Sequence, residues 1–263
     1  GFIMAETSTG RRPGESDSGM IHSTRTGSYD PGVSGKNPMS SESPVSVTAI
    51  FDIGKTNKKF LLFDQDFQVI FRDQVTLEPA VDDDGDPCED LDRLTKWIHQ
   101  TLDSAMRDHR TVIRSLNFAT YGATLVHLNH KGEVLTPVYD YNKPYPKELL
   151  HEFYATHGGD DAFALETSSP RMGRRNSGLQ LYWLKKCKPE VFRNIHRTLH
   201  FPQYLSYLFT GHLVSELTSI GCHTAMWDFR DQNYHKLLNQ EGVAGLLPEP
   251  VPVHQTAPVS WLQ

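Results

Sequence analysis

Cysteine is scarce and unpaired in this chain: Cys88, Cys187 and Cys222 are odd in number and far apart, with no C-x-x-C spacing. Neither a disulfide framework nor a zinc site is indicated, and a reducing, cytoplasmic setting fits. Long apolar runs are also missing. None approaches the ~18 residues of a membrane-spanning helix, and the first residues lack the apolar core of a secretory signal, roughly 7–15 residues long. Basic charge is short as well. Lys and Arg number 26 against 32 Asp and Glu, a net charge of −6, and the cations are scattered rather than gathered on a stripe. Nucleic acid and membranes are therefore not expected partners.

Several catalytic signatures fail on single residues. His151-Glu152 is followed by Ala155 where a zinc hydrolase needs its second histidine. No Gly-x-Ser-x-Gly elbow occurs. Gly54-Lys55-Thr56 copies the end of a P-loop, but position 49, where the opening glycine belongs, is Ala49 inside an apolar run. Asp82-Asp83-Asp84-Gly85-Asp86 begins like a calcium loop and then departs from it, with Pro87 at the sixth position and Arg93 at the twelfth. A solvated loop is expected there.

The chain of 263 residues has room for one or two domains. Its mean hydropathy of −0.48 is pulled down by residues 1–44, a Gly, Ser, Arg, Pro and Asp mixture without apolar periodicity. That segment is expected to be disordered, or a leftover of expression or of a doubtful start site ahead of Met39. Beyond it, strands are predicted over 45–53, 57–64, 67–75, 111–119 and 134–139, and an acidic loop over 77–89. Helices are predicted over 90–108, 146–156, 177–186 and 202–209. Leu91, Leu94, Ile98, Leu102 and Ala105 carry the helical spacing of the first. Three leading antiparallel strands followed by alternating helix and strand predict an α/β domain with a mixed sheet.

The richest stretch is Asp52-Ile53-Gly54-Lys55-Thr56-Asn57-Lys58-Lys59 between two apolar runs. Gly54 permits close backbone approach by an anion, while Lys55, Thr56, Asn57 and Lys59 supply ammonium, hydroxyl and amide donors. Asp52 is placed to hold a magnesium ion through water. An ordinary hairpin with solvated lysines is the alternative.

These residues resemble the first phosphate motif of the FGGY carbohydrate kinases, within the actin, hexokinase and Hsp70 ATPase superfamily. Four later segments agree in order: Phe118 through Thr124 with Lys131 through Val138, Leu179 through Leu184 with Pro189-Glu190, Pro202 through Gly211, and Ser215-Glu216-Leu217-Thr218-Ser219. The resemblance spans about residues 45–255 and implies a ribonuclease H-like fold with a five-stranded type of sheet. It also implies ATP and Mg2+ as cofactors, and residues 256–263 as the start of a linker to an ATP-binding half that this sequence does not include. A homo-oligomer is left open.

The resemblance further places Glu216 where the family has its catalytic aspartate, as the base for a sugar hydroxyl; a carboxylate capping a turn is the alternative, and Asp228 is the next acid. Tyr121, Asp140 and Asn142 fall where relatives contact sugar, with no arginine at the expected place in the Tyr139-Asp140-Tyr141-Asn142-Lys143 loop. Core tyrosines and solvated polar groups are the alternative there. Gln180 stands where relatives often have lysine, or is a helix-surface glutamine. His223, one of 13 histidines, touches substrate or is structural. The implied substrate is a small sugar, a pentulose or a 6-deoxy-ketohexose. The implied function is ATP-dependent phosphorylation, with a non-catalytic sugar-binding remnant as the rival.

Overall fold

The computed structural model describes residues 43–259; nearly all of the expected N-terminal extension and the end of the expected linker lie outside them. In chain order the elements are β1 (Val45–Ile53), β2 (Asn57–Phe63), β3 (Val69–Thr76), β4 (Ala80–Val81), β5 (Pro87–Glu89), α1 (Leu91–Met106), β6 (Thr111–Thr120), β7 (Leu125–Leu128) and β8 (Val138–Tyr139). They continue as α2 (Lys147–Thr156), α3 (Asp160–Thr167), α4 (Ser177–Cys187), α5 (Pro189–Phe192), β9 (Arg197–His200), α6 (Phe201–Thr210), β10 (Ser215–Glu216) and α7 (Leu217–Ile220). Last come β11 (Trp227–Asp228), β12 (Asn233–Tyr234), α8 (Leu237–Gln240) and β13 (Pro250–Val251). The described chain forms two compact units, one from 43–78, 91–120 and 254–259, the other from 79–90 and 121–253.

The first unit is a mixed sheet of order β3-β2-β1-β6, in which only β1 and β6 run parallel. It has four strands where the resemblance implied five. β1 alternates strictly, burying Val47, Ala49, Phe51 and Ile53 on one face, and the period of two sends Asp52 to the other. Helix α1 covers the apolar face with Leu94, Trp97, Ile98, Thr101 and Leu102, a stripe at helical spacing. Phe51 is the hub: its ring lies 4.8 Å from Phe60, 5.6 Å from Phe118 and 5.4 Å from Trp97.

In the second unit, α4 is buried all round from Ser177 to Leu184, as a helix at the centre of a packed core must be. Its core includes Phe153, Phe163, Tyr182, Trp183 and Met226. Gly178 is required here: a Cβ would lie 2.7 Å from Met226 Cγ and 3.0 Å from the Thr224 carbonyl. Short ladders β4-β5-β8, β7-β9, β10-β13 and β11-β12 complete the unit.

Some expectations fail for identifiable reasons. The predicted 134–139 strand shrinks to Val138–Tyr139 plus an isolated bridge from Val134 to Leu128, since Pro137 has no N–H to donate to a ladder. Strand β9 is not among the predicted strands; Thr198 and His200 are buried because they pair with the apolar β7, and His127 meets Thr198 at 2.9 Å across that ladder. The acidic 77–89 segment is no solvated loop but the β4-β5 hairpin, with Asp82 buried.

Phe51→Ala is expected to cost about 3–5 kcal/mol, the range for emptying an aromatic site in a packed core, measured by urea unfolding. Phe67→Ala, at a position 84% exposed, should be near neutral in the same assay.

Candidate functional site

The hairpin between β1 and β2 carries the candidate phosphate residues. Gly54 does provide close approach, but to the chain itself: its N–H donates to the Asn57 carbonyl at 3.0 Å, and a Cβ would sit 2.7 Å from that oxygen. The Gly54 amide is thus spent inside the turn. Lys58 points into the unit, 1% exposed, with its Nζ donating to the Lys55 carbonyl at 3.0 Å. Thr56 and Asn57 are exposed, and Asn57 accepts from the Thr76 hydroxyl at 3.1 Å. Asp52 and Lys59 are cross-strand partners whose ion pair measures 3.0 Å with both side chains partly exposed. The pair leaves both groups within reach of solvent, a donor set that suits a magnesium ion held through water beside phosphate oxygens.

The second unit brings the remaining candidates together around the starts of α4 and α6. Tyr121 donates its hydroxyl to Glu89 at 2.7 Å and packs against Tyr141 and Phe201, the first residue of α6. Burial pushes its phenol far above the ordinary value, and the charge of Glu89 adds to this. Asp140 closes a turn by accepting the Asn142 N–H at 2.8 Å. Asn142 accepts from Arg175 at 3.1 Å, so the arginine that the loop lacks in sequence reaches it in space.

Gln180 is not the helix-surface residue of the alternative reading. It is buried, and its amide donates to the carbonyls of Ala123 at 2.6 Å and Arg174 at 2.7 Å. That clamp ties the turn after Tyr121 to the turn before α4. His223, at φ 41°, offers its carbonyl to Asn176 at 2.7 Å, and its ring meets Cys222 Sγ at 3.2 Å.

Glu216 is 3% exposed and caps α7. Its carboxylate accepts from the Thr218 N–H at 2.8 Å, the Ser219 N–H at 3.0 Å, both of their hydroxyls, and Gln203 Nε2 at 3.2 Å. Burial pushes its carboxyl up, while the hydrogen bonds from Thr218 and Ser219 pull it down, and the net shift is below the ordinary value. Two of these donors are hydroxyl rotors. Asp228, the alternative acid, is committed to a turn, accepting the N–H of Arg230 and Asp231.

Three contributors escaped the sequence reading. Gln203 and Glu89 are buried polar residues next to candidate groups, and only the topology reveals that proximity. Arg174 is 2% exposed, its guanidinium carbon 3.9 Å from the centroid of Trp183; an arginine just ahead of an apolar helix was the available signal.

The description "FGGY family of carbohydrate kinases, N-terminal domain" matches residues 47–251. The chain belongs to that family. It is 27% identical over 147 residues to a rhamnulokinase of Oceanobacillus iheyensis, covering 54% of this chain and 31% of that protein. A carbohydrate kinase structure from Novosphingobium aromaticivorans aligns at TM-score 0.68 and 29% identity over 78% of this chain and 43% of that one. A ligand-bound xylulose kinase from Lactobacillus acidophilus aligns at TM-score 0.73 and 18% identity over 82% and 44%. The likeness to these FGGY structures establishes the expected ribonuclease H-like, actin-type α/β fold. The matched region spans about a third of the curated relative's length.

Two measurements test this geometry. Gln180→Leu should destabilise the chain in urea by about 1–3 kcal/mol for each carbonyl left without a donor. His200 and His127 are fully buried, and burial pulls them down to about 4 and about 3. Between those values and an unfolded value near 6.5 the unfolded chain binds protons that the folded chain does not. Stability should therefore be complete above pH 6.5 and fall with acidification, by roughly 1.4 kcal/mol per pH unit for each histidine. Urea titrations at pH 7, 6 and 5 should show that slope, and His127→Asn should reduce it.

Proposed function

We propose that this chain forms the sugar-binding part of a kinase that transfers the γ-phosphate of ATP to a hydroxyl of a ketose. The observation that carries the reading is the gathering of Tyr121, Asp140, Asn142 and Glu216 around the starts of α4 and α6, within a region matched to a carbohydrate-kinase domain. The 27% identity to a rhamnulokinase favours a 6-deoxy-ketohexose over a pentulose.

In this mechanism the sugar hydroxyl replaces the Thr218 or Ser219 hydroxyl on Glu216 and gives up its proton to the carboxylate. Its oxygen bonds to the γ-phosphorus as the bond to the β-γ bridging oxygen of ATP breaks. Such a transfer asks the protein chiefly for positioning and charge neutralisation. Lys59, with Lys55, Thr56 and the Asn57 amide, would face phosphate oxygens, and Asp52 would hold magnesium through water. When bound, that ion neutralises phosphate charge. A cytoplasmic setting, where ATP is abundant, belongs to the same reading and accords with three free cysteines.

One observation favours the rival, a sugar-binding remnant without catalysis: Glu216 is fully engaged as a cap. Calorimetry with L-rhamnulose, L-fuculose, D-xylulose and glycerol tests the binding part in this chain, and the expected result is saturable binding of a 6-deoxy-ketohexose. Absence of binding by all four contradicts the proposal. In a form that turns over, Glu216→Gln should lower kcat by roughly 10²–10⁴ with sugar affinity little changed; an unchanged kcat would eliminate Glu216 as the base and leave Asp228 or His223 as the next candidates.

A further inference from the structure

Lys143 is the last residue of the candidate sugar loop, and its side chain is 5% exposed. Its ammonium lies 2.6 Å from Asp82 Oδ2, 2.8 Å from Asp84 Oδ2 and 2.9 Å from Asp86 Oδ2. Those acids alternate along the β4-β5 turn, as the first three ligands of a calcium loop do. Asp82 Oδ1 also accepts the N–H of Asp84 and of Asp86, both at 2.9 Å, which holds the turn in a fixed shape. Lys188 closes the outer side, 2.6 Å from Asp83 and 2.8 Å from Asp84.

The same hairpin is bound to the sugar loop by backbone pairing, since Cys88 faces Tyr139 and Glu89 faces Val138 across β5-β8. Glu89 in turn holds Tyr121. Breaking the lysine contact would therefore free one end of the loop that carries Asp140 and Asn142. A buried ion pair is poor evidence for stability, because desolvation offsets attraction; fixing one arrangement among several is its better-attested use.

We propose that the Lys143 ammonium is a built-in cation, standing among Asp82, Asp84 and Asp86 where a divalent ion would otherwise bind, and that it is a positioning residue for the candidate sugar loop. The second half of this inference rests on the function proposed above; the first half does not. An ammonium in that place makes the loop independent of the metal supply while keeping the geometry a metal would impose. Four carboxylates and two ammonium groups leave the hairpin acidic, so removal of Lys143 creates an acidic cup able to bind a cation.

The probe is Tb3+, because Tyr139 and Trp183 lie 5.4 and 5.9 Å from Lys143 Nζ, close enough to sensitise a lanthanide bound in its place. Lys143→Ala should show Tb3+ luminescence that Ca2+ displaces in the ~10⁻⁴ M range. The unchanged chain should show none, and Lys143→Ala with Asp84→Asn should lose it. Without metal, Lys143→Ala should bind the ketose about tenfold more weakly, the size of an ordinary coupling between sites, and Ca2+ should restore the affinity, which a merely structural lesion would not allow. Equal luminescence from the unchanged chain overturns the proposal, as does a folded Lys143→Ala chain that binds no Tb3+. A variant that stays unfolded with Ca2+ present overturns it too, since a cation alone would then not replace the lysine. If the unchanged chain binds no ketose, the function proposal fails while the Tb3+ result still decides whether Lys143 stands in for a metal.

Discussion

A carboxylate taken out of water must be surrounded by donors, and Glu216 imposes that requirement on the second unit. With 3% exposure it would otherwise be neutral or absent. The chain meets the need with two backbone N–H groups and two hydroxyls of α7 and with an amide from α6. Placing Gln203 there fixes the start of α6 beside α7. Phe201 at that start packs on Tyr121, and His200 just before it shares a hydrogen bond with Ser177 at the start of α4. One buried charge thus sets the relative positions of three helix starts and of the aromatic ring expected to face a sugar.

The same carboxylate has two chemical descriptions. As a cap its carboxyl is raised by burial and lowered by the hydrogen bonds from Thr218 and Ser219, with the net shift downward. As a base it would be weak by basicity, but phosphoryl transfer through a loose transition state needs little proton abstraction early on, and position then matters more than pKa. Glutamate is one methylene longer than aspartate, and in the cap that length lets the carboxylate fold back onto the N–H groups of residues 218 and 219.

Much of the fold was legible in the sequence. Strict alternation along 45–53 and 57–63 and the 91–102 stripe are local patterns whose burial the letters alone dictate, and the structure carries them as β1, β2 and α1. Elements whose polar residues are buried by a distant partner were not legible. Thr198 and His200 enter the core only because β7 pairs with β9, a relation some 70 residues long in sequence. Gln180 reads as surface because glutamine usually is; its burial depends on two carbonyls that the chain brings from elsewhere. The acidic turn was misread for the same reason, since its counter-ions, Lys143 and Lys188, are remote. At the candidate site, order along the chain located the groups, while the partners that commit Gly54 and Gln180 to structural work became visible only in three dimensions.

The central claim is that a sugar hydroxyl displaces the Thr218 or Ser219 hydroxyl from Glu216. Amide NMR of the chain titrated with L-rhamnulose tests it most directly. The account predicts perturbations centred on residues 121, 140–142 and 216–219, with little change around the cavity of about 440 Å3 lined by Glu166, Asp228 and Lys236. Perturbations centred on that cavity, with residues 216–219 unmoved, would contradict it.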